Sequence, residues 1–401
     1  MGTYTTEVAA VRAGVMPAQI LRLTELGILV PDPDGRYGDG DVRRVLIVFA
    51  LERSGVSIDG LAQLLREHRF SLRFLDEAGV NVIAALSDTT FAELSGRTGI
   101  PIETLLMIRD AMGGKTAVPD DRVREHELDL LPLLSYQVEL GFRGSAIERA
   151  LRVFGDSLRR VAEAEAEWWR SEVQEPMLAS GGDPDELGRR AAEISPRLSE
   201  ASDRALVAVY HAQQMQVWVT NLVDGITAAL EQAGLHRREE QHPAMCFLDL
   251  TGFTQLTQDV GDIAAAQLIE RLNKIVKRIS VQHDGRPVKW LGDGVMMVFP
   301  DPGAGTIAAI EMVRALAEAN LPPAHVGLHA GPVVFQEGDY YGQTVNLAAR
   351  IGEYARPGEV LVSKTVVDAS TAVAATFEPI GPVGLKGISA LVELYSATSA
   401  S

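Results

Sequence analysis

Apolar positions in the first 240 residues recur at helical spacing. Leu21, Leu23, Leu26 and Ile28, then Val45, Leu46, Val48, Phe49 and Leu51, then Leu61, Leu64 and Leu65 form successive amphipathic runs. The turn-rich PDPDGRYGDGD interrupts them. A second turn-bounded pair lies in TFAELSGRTGIPIETLLMIRDAMG, where Gly99 and Pro101 separate two helical stretches in a helix-turn-helix shape. Residues 142–178 and 203–232 predict two long helices. The first carries Phe154, Leu158, Val161 and Trp168-Trp169, the second Leu206, Tyr210, Val217, Trp218, Leu222 and Leu230. Each is apolar over a wide face, which predicts a bundle core or packing against a partner chain. ASGGDPDELG is the expected loop between them, and the polar GLHRREEQHP supplies a linker over 234–242.

After Pro243 the texture changes. Short β-type runs (MCFLDL, VKWLGDGVMMVF, HVGLHAGPVVF) alternate with helical patterns at 262–282, 304–319 and 343–355. Such alternation predicts an α/β or α+β domain over 243–398, and no repeat of fixed period runs through the chain.

Length and charge narrow the function. With 401 residues two or three domains are expected, and 46% hydrophobic against 23% charged residues is ordinary globular composition. The formal charge of -17 makes the molecule as a whole a poor polyanion binder, so a nucleotide site must be local. One cysteine, Cys246, excludes a disulfide framework and a cysteine zinc cluster and suits a reducing compartment. Val45–Leu51, the longest apolar run near the N-terminus, is too short to span a bilayer, and no export signal is visible. A soluble cytoplasmic protein is the expectation.

Three clusters carry candidate chemistry. Asp249 ends an apolar run and is followed by Leu250, Thr251, Gly252, Phe253 and Thr254, a strand, turn and helix start that places free amides beside a carboxylate. Asp293 sits at the tip of a hairpin signature, Trp290-Leu291-Gly292-Asp293-Gly294. If their strands are neighbours, the two carboxylates form the acidic pair that hard cations require. In GDYYGQTVNLAAR, Asn346 and Arg350 lie four apart, hence on one helix face. An amide and a guanidinium there can hold a sugar and a developing phosphate charge.

In order and spacing, FLDLTGFTQL, VKWLGDGVMMVF and GDYYGQTVNLAAR, with GLKGI near the end, resemble the class III nucleotidyl cyclase catalytic domain over residues 243–398. The resemblance implies a ferredoxin-like α+β fold. It implies that Asp249 and Asp293 bind two Mg²⁺ or Mn²⁺ ions per site, with the Leu250 carbonyl as an extra ligand. Lys289 and Asp339 resemble the pair that reads adenine, whose ring acceptor and exocyclic donor they complement; guanylyl cyclases place residues such as Glu and Cys there. Asn346 resembles the residue that orients the ribose, Arg350 the one that stabilises charge on the reacting phosphate, and Lys386 a lysine on the triphosphate. Gly252, Phe253 and Thr254 fall in the substrate-binding turn. The implied reaction is ATP to cyclic AMP and pyrophosphate, by a homodimer that builds its sites across the subunit interface.

Residues 16–68 resemble the winged-helix start of MerR-type regulators. Residues 1–70 hold eight arginines, no lysine and nine acidic residues, so DNA binding is disfavoured and packing or sensing preferred. Residues 71–233 resemble in arrangement the helical regulatory domains that precede some actinobacterial cyclases, with proton or lipid signals. His211, His236 and His242 near the connecting segment are the candidates for a proton signal. The broad apolar helices leave room for a fatty-acid pocket but more simply form bundle core and dimer interface. The rival reading is a DNA-binding or ligand-sensing regulator whose cyclase domain binds nucleotide without cyclising it.

Overall fold

The computed structural model describes residues 3–76, 85–181, 183–235, 242–370 and 374–400. It divides into two compact units, Met1–Asn221 and Leu222–Ser401. His236 and most of the expected linker lie outside the described residues.

The first unit is largely helical. Helices Thr6–Ala13, Pro17–Glu25, Asp39–Arg53 and Ile58–Arg66 enclose a core that includes Ile20, Leu23, Val45, Val48 and Leu61. A second core, with Phe91, Leu94, Leu105, Ile108, Leu134 and Ile147, joins Phe91–Thr98 to Ile102–Ala111. Between these two helices Gly99 takes a left-handed φ of 71°, the conformation the expected helix-turn-helix needs of its glycine. Two small sheets, absent from the sequence expectation, complete the unit: Thr3–Tyr4 pairs with Tyr37–Gly38, and Leu86–Thr90 with Arg122–Arg124.

Two long helices follow. Helix α1, Gly144–Trp169, runs into a π-helical turn at Arg170–Gln174. Helix α2, Pro184–Gln232, has 49 residues, about 73 Å at 1.5 Å per residue. It begins well before the expected residue 203, so DELG of the expected loop is its first turn. Proline at the first helical position costs nothing there, since that amide has no intrahelical partner anyway. His211 is exposed on α2, and His242 is exposed just before the second unit's first strand.

The second unit's sheet is built around β1, Ala244–Leu250. After it come α3 (Phe253–Val260), α4 (Asp262–Gln282), β2 (Arg286–Leu291), β3 (Gly294–Phe299), α5 (Pro302–Glu318) and β4 (Ala324–Ala330). A short hairpin, β5 (Val334–Gln336) and β6 (Asp339–Tyr341), leads to α6 (Gln343–Tyr354). The chain ends with β7 (Val360–Ser363), α7 (Lys364–Ala369), β8 (Ala375–Val383) and β9 (Val392–Ser399). The seven-stranded sheet has the order β8-β9-β7-β4-β1-β3-β2. Its part β4-β1-β3-β2 is antiparallel throughout, and with α4 and α5 as crossovers this is the ferredoxin-like arrangement expected.

Alternation along β1 explains its two covered faces. Ala244, Cys246, Leu248 and Leu250 join a core with Leu272 and Val276 of α4 and Ala308 and Met312 of α5. Met245 and Phe247 point the other way, to Val345 and Ala348 of α6. Helix α6 lies close on β4: a Cβ on Gly327 would stand 2.0 Å from the Gly352 amide nitrogen, so backbone meets backbone at this crossing. No helix among the described residues is long and apolar enough to cross a membrane.

Candidate active site

Asp249 shares the alternation of Met245 and Phe247, so its side chain stands on the α6 face near the end of β1. The hairpin β2–β3 pairs beside β1, with Leu248 opposite Val295, and its tip carries Asp293. A Cβ on Gly294 would come within 2.7 Å of Asp249 Oδ1, so glycine is what lets the hairpin approach this carboxylate. Burial raises the Asp249 carboxyl above the ordinary aspartate range, and the charge of Asp293 raises it further, partly opposed by His325. The two strand-end carboxylates therefore do meet.

His325 was not singled out from the sequence. On β4 it lies directly across from Asp249 in the strand register. Its Nε2 is 3.7 Å from Asp249 Oδ2, and its Nδ1 is 3.1 Å from the Thr251 hydroxyl. Only the β1–β4 register puts these 76-residue-distant positions together, and no local pattern could have shown it. The other strand histidine, His329, is partly buried: burial lowers its pKa to about 4, and Nδ1 contacts Ser363 Oγ at 2.8 Å.

Lys289 and Asp339 are brought together by β2 and β6, with Lys289 Nζ donating to Asp339 Oδ2 at 2.5 Å. Arg286 reinforces that junction from the same strand. Its guanidinium lies 5.7 Å from the Tyr340 ring centroid and donates to the Tyr340 hydroxyl at 3.3 Å. The Tyr340 ring in turn packs against Phe335, 5.0 Å between centroids.

Asn346 is exposed in the first turn of α6. Arg350, one turn on, is engaged by Glu353, whose two carboxylate oxygens take its Nη1 at 2.7 and 2.5 Å. Gly252, at φ 76°, caps α3; Phe253 packs on the core, and Thr254 is exposed. Lys386 is exposed in the turn between β8 and β9.

The expected residues do not all converge within one chain. Thr344 donates to the Pro332 carbonyl at 2.6 Å, just past the end of β4. That end, Ala330, lies opposite Ala244 at the start of β1, whereas Asp249 lies opposite His325. The α6 turn bearing Asn346 and the Asp249 carboxylate thus sit at opposite ends of the β1–β4 pair, about 17 Å apart along the strand. Among the described residues no hydrogen bond or ion pair links Asp249 or Asp293 to Lys289, Asp339, Asn346, Arg350 or Lys386.

This fold and these side chains coincide with a match of residues 236–397 to the adenylate and guanylate cyclase catalytic domain family. The C-terminal region is a class III cyclase domain. The chain is 29% identical over 377 residues to an uncharacterised protein of Mycobacterium tuberculosis, covering 86% of this chain and 93% of that one. It is 27% identical over 318 residues to a pH-sensitive adenylate cyclase from the same species, with 76% of each chain covered. An adenylate cyclase of Streptomyces coelicolor is 26% identical over 266 residues, 66% of this chain and 67% of its own. The first match extends well beyond the cyclase domain into the helical half.

Proposed function

We propose that the chain converts ATP to cyclic AMP and pyrophosphate, as a homodimer with two sites across the subunit interface. The observation that carries this reading is the arrangement of a carboxylate pair and a Lys–Asp pair, of matching chemistry for metal phosphate and for adenine, on one cyclase fold. The separation of Asn346 from Asp249 along β1 favours sites completed by a second copy, with Asp249 and Asp293 from one chain and Lys289, Asp339, Asn346 and Arg350 from its partner.

Asp249 and Asp293 suit a divalent ion. They are hard oxygen donors whose mutual repulsion leaves a charge that a cation relieves, and magnesium takes such pairs together with substrate phosphates and water. The carbonyl of Leu250, the residue after Asp249, would offer a further oxygen. When bound, two Mg²⁺ or Mn²⁺ ions would acidify the ribose 3′-hydroxyl and neutralise the phosphates.

The chain's own residues supply binding and alignment. Lys289 would donate to adenine N1 while Asp339 accepts from the exocyclic amine, exchanging their mutual bond for the base. Asn346 would hold the ribose so that its 3′-oxygen faces the α-phosphorus. The new O3′–P bond forms as the bond to pyrophosphate breaks, and the hydroxyl proton leaves to solvent. Arg350, released from Glu353, would meet the charge that builds on the α-phosphate, while Lys386 and the amides of Gly252, Phe253 and Thr254 hold the phosphates. Residues 71–233 would restrain or release this pair of sites.

Incubating the full chain with ATP or GTP and Mg²⁺ or Mn²⁺ tests the reading. Cyclic AMP from ATP, abolished by Asp249→Ala, is expected. No cyclic nucleotide under any combination overturns the enzyme, and a preference for GTP overturns the adenine assignment.

A further inference from the structure

Arg286 and Lys289 are three residues apart on β2 yet reach the same hairpin. In a regular strand, positions three apart stand on opposite faces. A bulge reverses that here: Arg286 pairs with Val298 and Pro287 with Met297, but Lys289 rather than Val288 is the partner of Met296. Val298 and Met296 lie two apart and both join the cluster that includes Met245 and Ala348, so the extra residue returns Lys289 to the face of Arg286. Pro287, which has no amide to give a ladder, stands at the irregularity. The bulge aims two cations at β5–β6.

Tyr340 connects what these cations hold. Its amide donates to Asp339 Oδ1 at 2.8 Å, which leaves Oδ2 to Lys289. Its hydroxyl accepts from Arg286 Nη2 at 3.3 Å, and its ring centroid lies 5.7 Å from that guanidinium. A bound base would treat the two contacts differently. If Lys289 and Asp339 turn to adenine, the bond between them opens and no longer ties β6 to β2. Arg286 takes no part in that exchange, so its hold on Tyr340 persists.

We infer that Arg286 is a positioning residue for base recognition: acting through Tyr340, it keeps the Asp339 carboxylate aimed at the base while Lys289 leaves that carboxylate for the ring. The inference rests on the reading of Lys289 and Asp339 as the adenine pair. Arginine suits the task because its planar fork can bond a hydroxyl and lie against an aromatic ring together, and it stays charged at any working pH. Its loss should weaken the grip on the base and spare the grip on the triphosphate.

Equilibrium binding to the full chain with Mn²⁺ tests this, using 3′-deoxy-ATP, which lacks the attacking hydroxyl and reports binding without turnover. Arg286→Gln should raise the dissociation constant for 3′-deoxy-ATP about fivefold, as expected for roughly one lost hydrogen bond, and leave that for tripolyphosphate unchanged. Tyr340→Phe, which keeps the ring contact, should raise it by less. The double variant should bind no more weakly than Arg286→Gln alone, because the arginine works through the tyrosine. Arg286→Lys, which returns a cation to the ring, should recover part of the loss. Effects that multiply in the double variant, or equal weakening of tripolyphosphate, overturn the inference. The two readings fail separately. A wild-type chain that binds 3′-deoxy-ATP with this dependence on Arg286 but makes no cyclic AMP from ATP overturns only the catalytic reading. Cyclic AMP from a wild-type chain whose Arg286→Gln variant binds 3′-deoxy-ATP equally well overturns only the positioning role.

Discussion

Lys289 and Asp339 satisfy one another without substrate: the ammonium donates to Asp339 Oδ2 at 2.5 Å, and Asp339 Oδ1 takes the Tyr340 amide at 2.8 Å. In the proposed site a purine would have to replace that contact with bonds of its own, so the site would discriminate by what it leaves unpaired. Exchanging both residues, Lys289→Glu with Asp339→Cys, should lower kcat/KM for ATP by about 100-fold, as two hydrogen bonds are lost. The GTP-to-ATP ratio of kcat/KM should rise at the same time. An unchanged ratio would remove these residues from base recognition.

Asp249→Ala and Asn346→Ala each disable a different end of β1. Each variant alone should be inactive. Mixed, they should recover about a quarter of wild-type activity, since random pairing makes half the dimers mixed and each of those has one intact site. Heterodimers that form without recovering activity would count against sites shared between chains.

Without metal, Asp293 is a burden on Asp249. Asp293→Asn should raise the thermal midpoint of metal-free protein while lowering activity at least 100-fold, the trade expected of a functional carboxylate pair. The sign with pH follows. The Asp249 carboxyl is raised in the folded chain by burial and then by Asp293, so the penalty is present once the carboxyl ionises and fades as pH falls through the weakly acid range. The variant's stability should gain less on acidification than the wild type's, as denaturant titrations at several pH values would show.

His329 works in the opposite sense. Burial lowers it to about 4 from an ordinary value of 6.5, so the unfolded chain binds the extra proton first. Stability carried by the neutral ring is complete above pH 6.5 and is lost as pH falls towards 4, amounting to roughly 3 kcal/mol at the acid limit. In urea melts, His329→Gln should flatten this part of the stability profile. An unaltered slope would place the acid sensitivity elsewhere.

Much of the cyclase domain could be read from its sequence because its signals are local. Strand alternation around Met245–Leu248, the glycine-flanked Asp293 and the apolar repeat at 262–282 each report on a few neighbouring residues, and the elements appear where these signals end. Contacts set by register or by a helix turn could not be read: His325 reaches Asp249 only across paired strands, and Glu353 takes Arg350 only because α6 continues. Helix α2 was foreshortened for a different reason. Its first half does repeat Leu187, Ala191, Ile194, Leu198 and Ala201 at helical spacing, but the turn-like ASGGDPDELG and the internal Pro196 mask that pattern. Strands of two to five residues in the first unit, Leu86–Thr90 the longest, carry too little alternation to detect.

In the proposed dimer strand β1 would serve both kinds of half-site, with Asp249 at one end and α6 bearing on Met245 and Phe247 along the same face. In a twofold dimer each copy of this strand would back one site and terminate in the other. A distortion that tilts β1 would then be felt twice, and the two reactions would share a single mechanical element rather than run as independent centres.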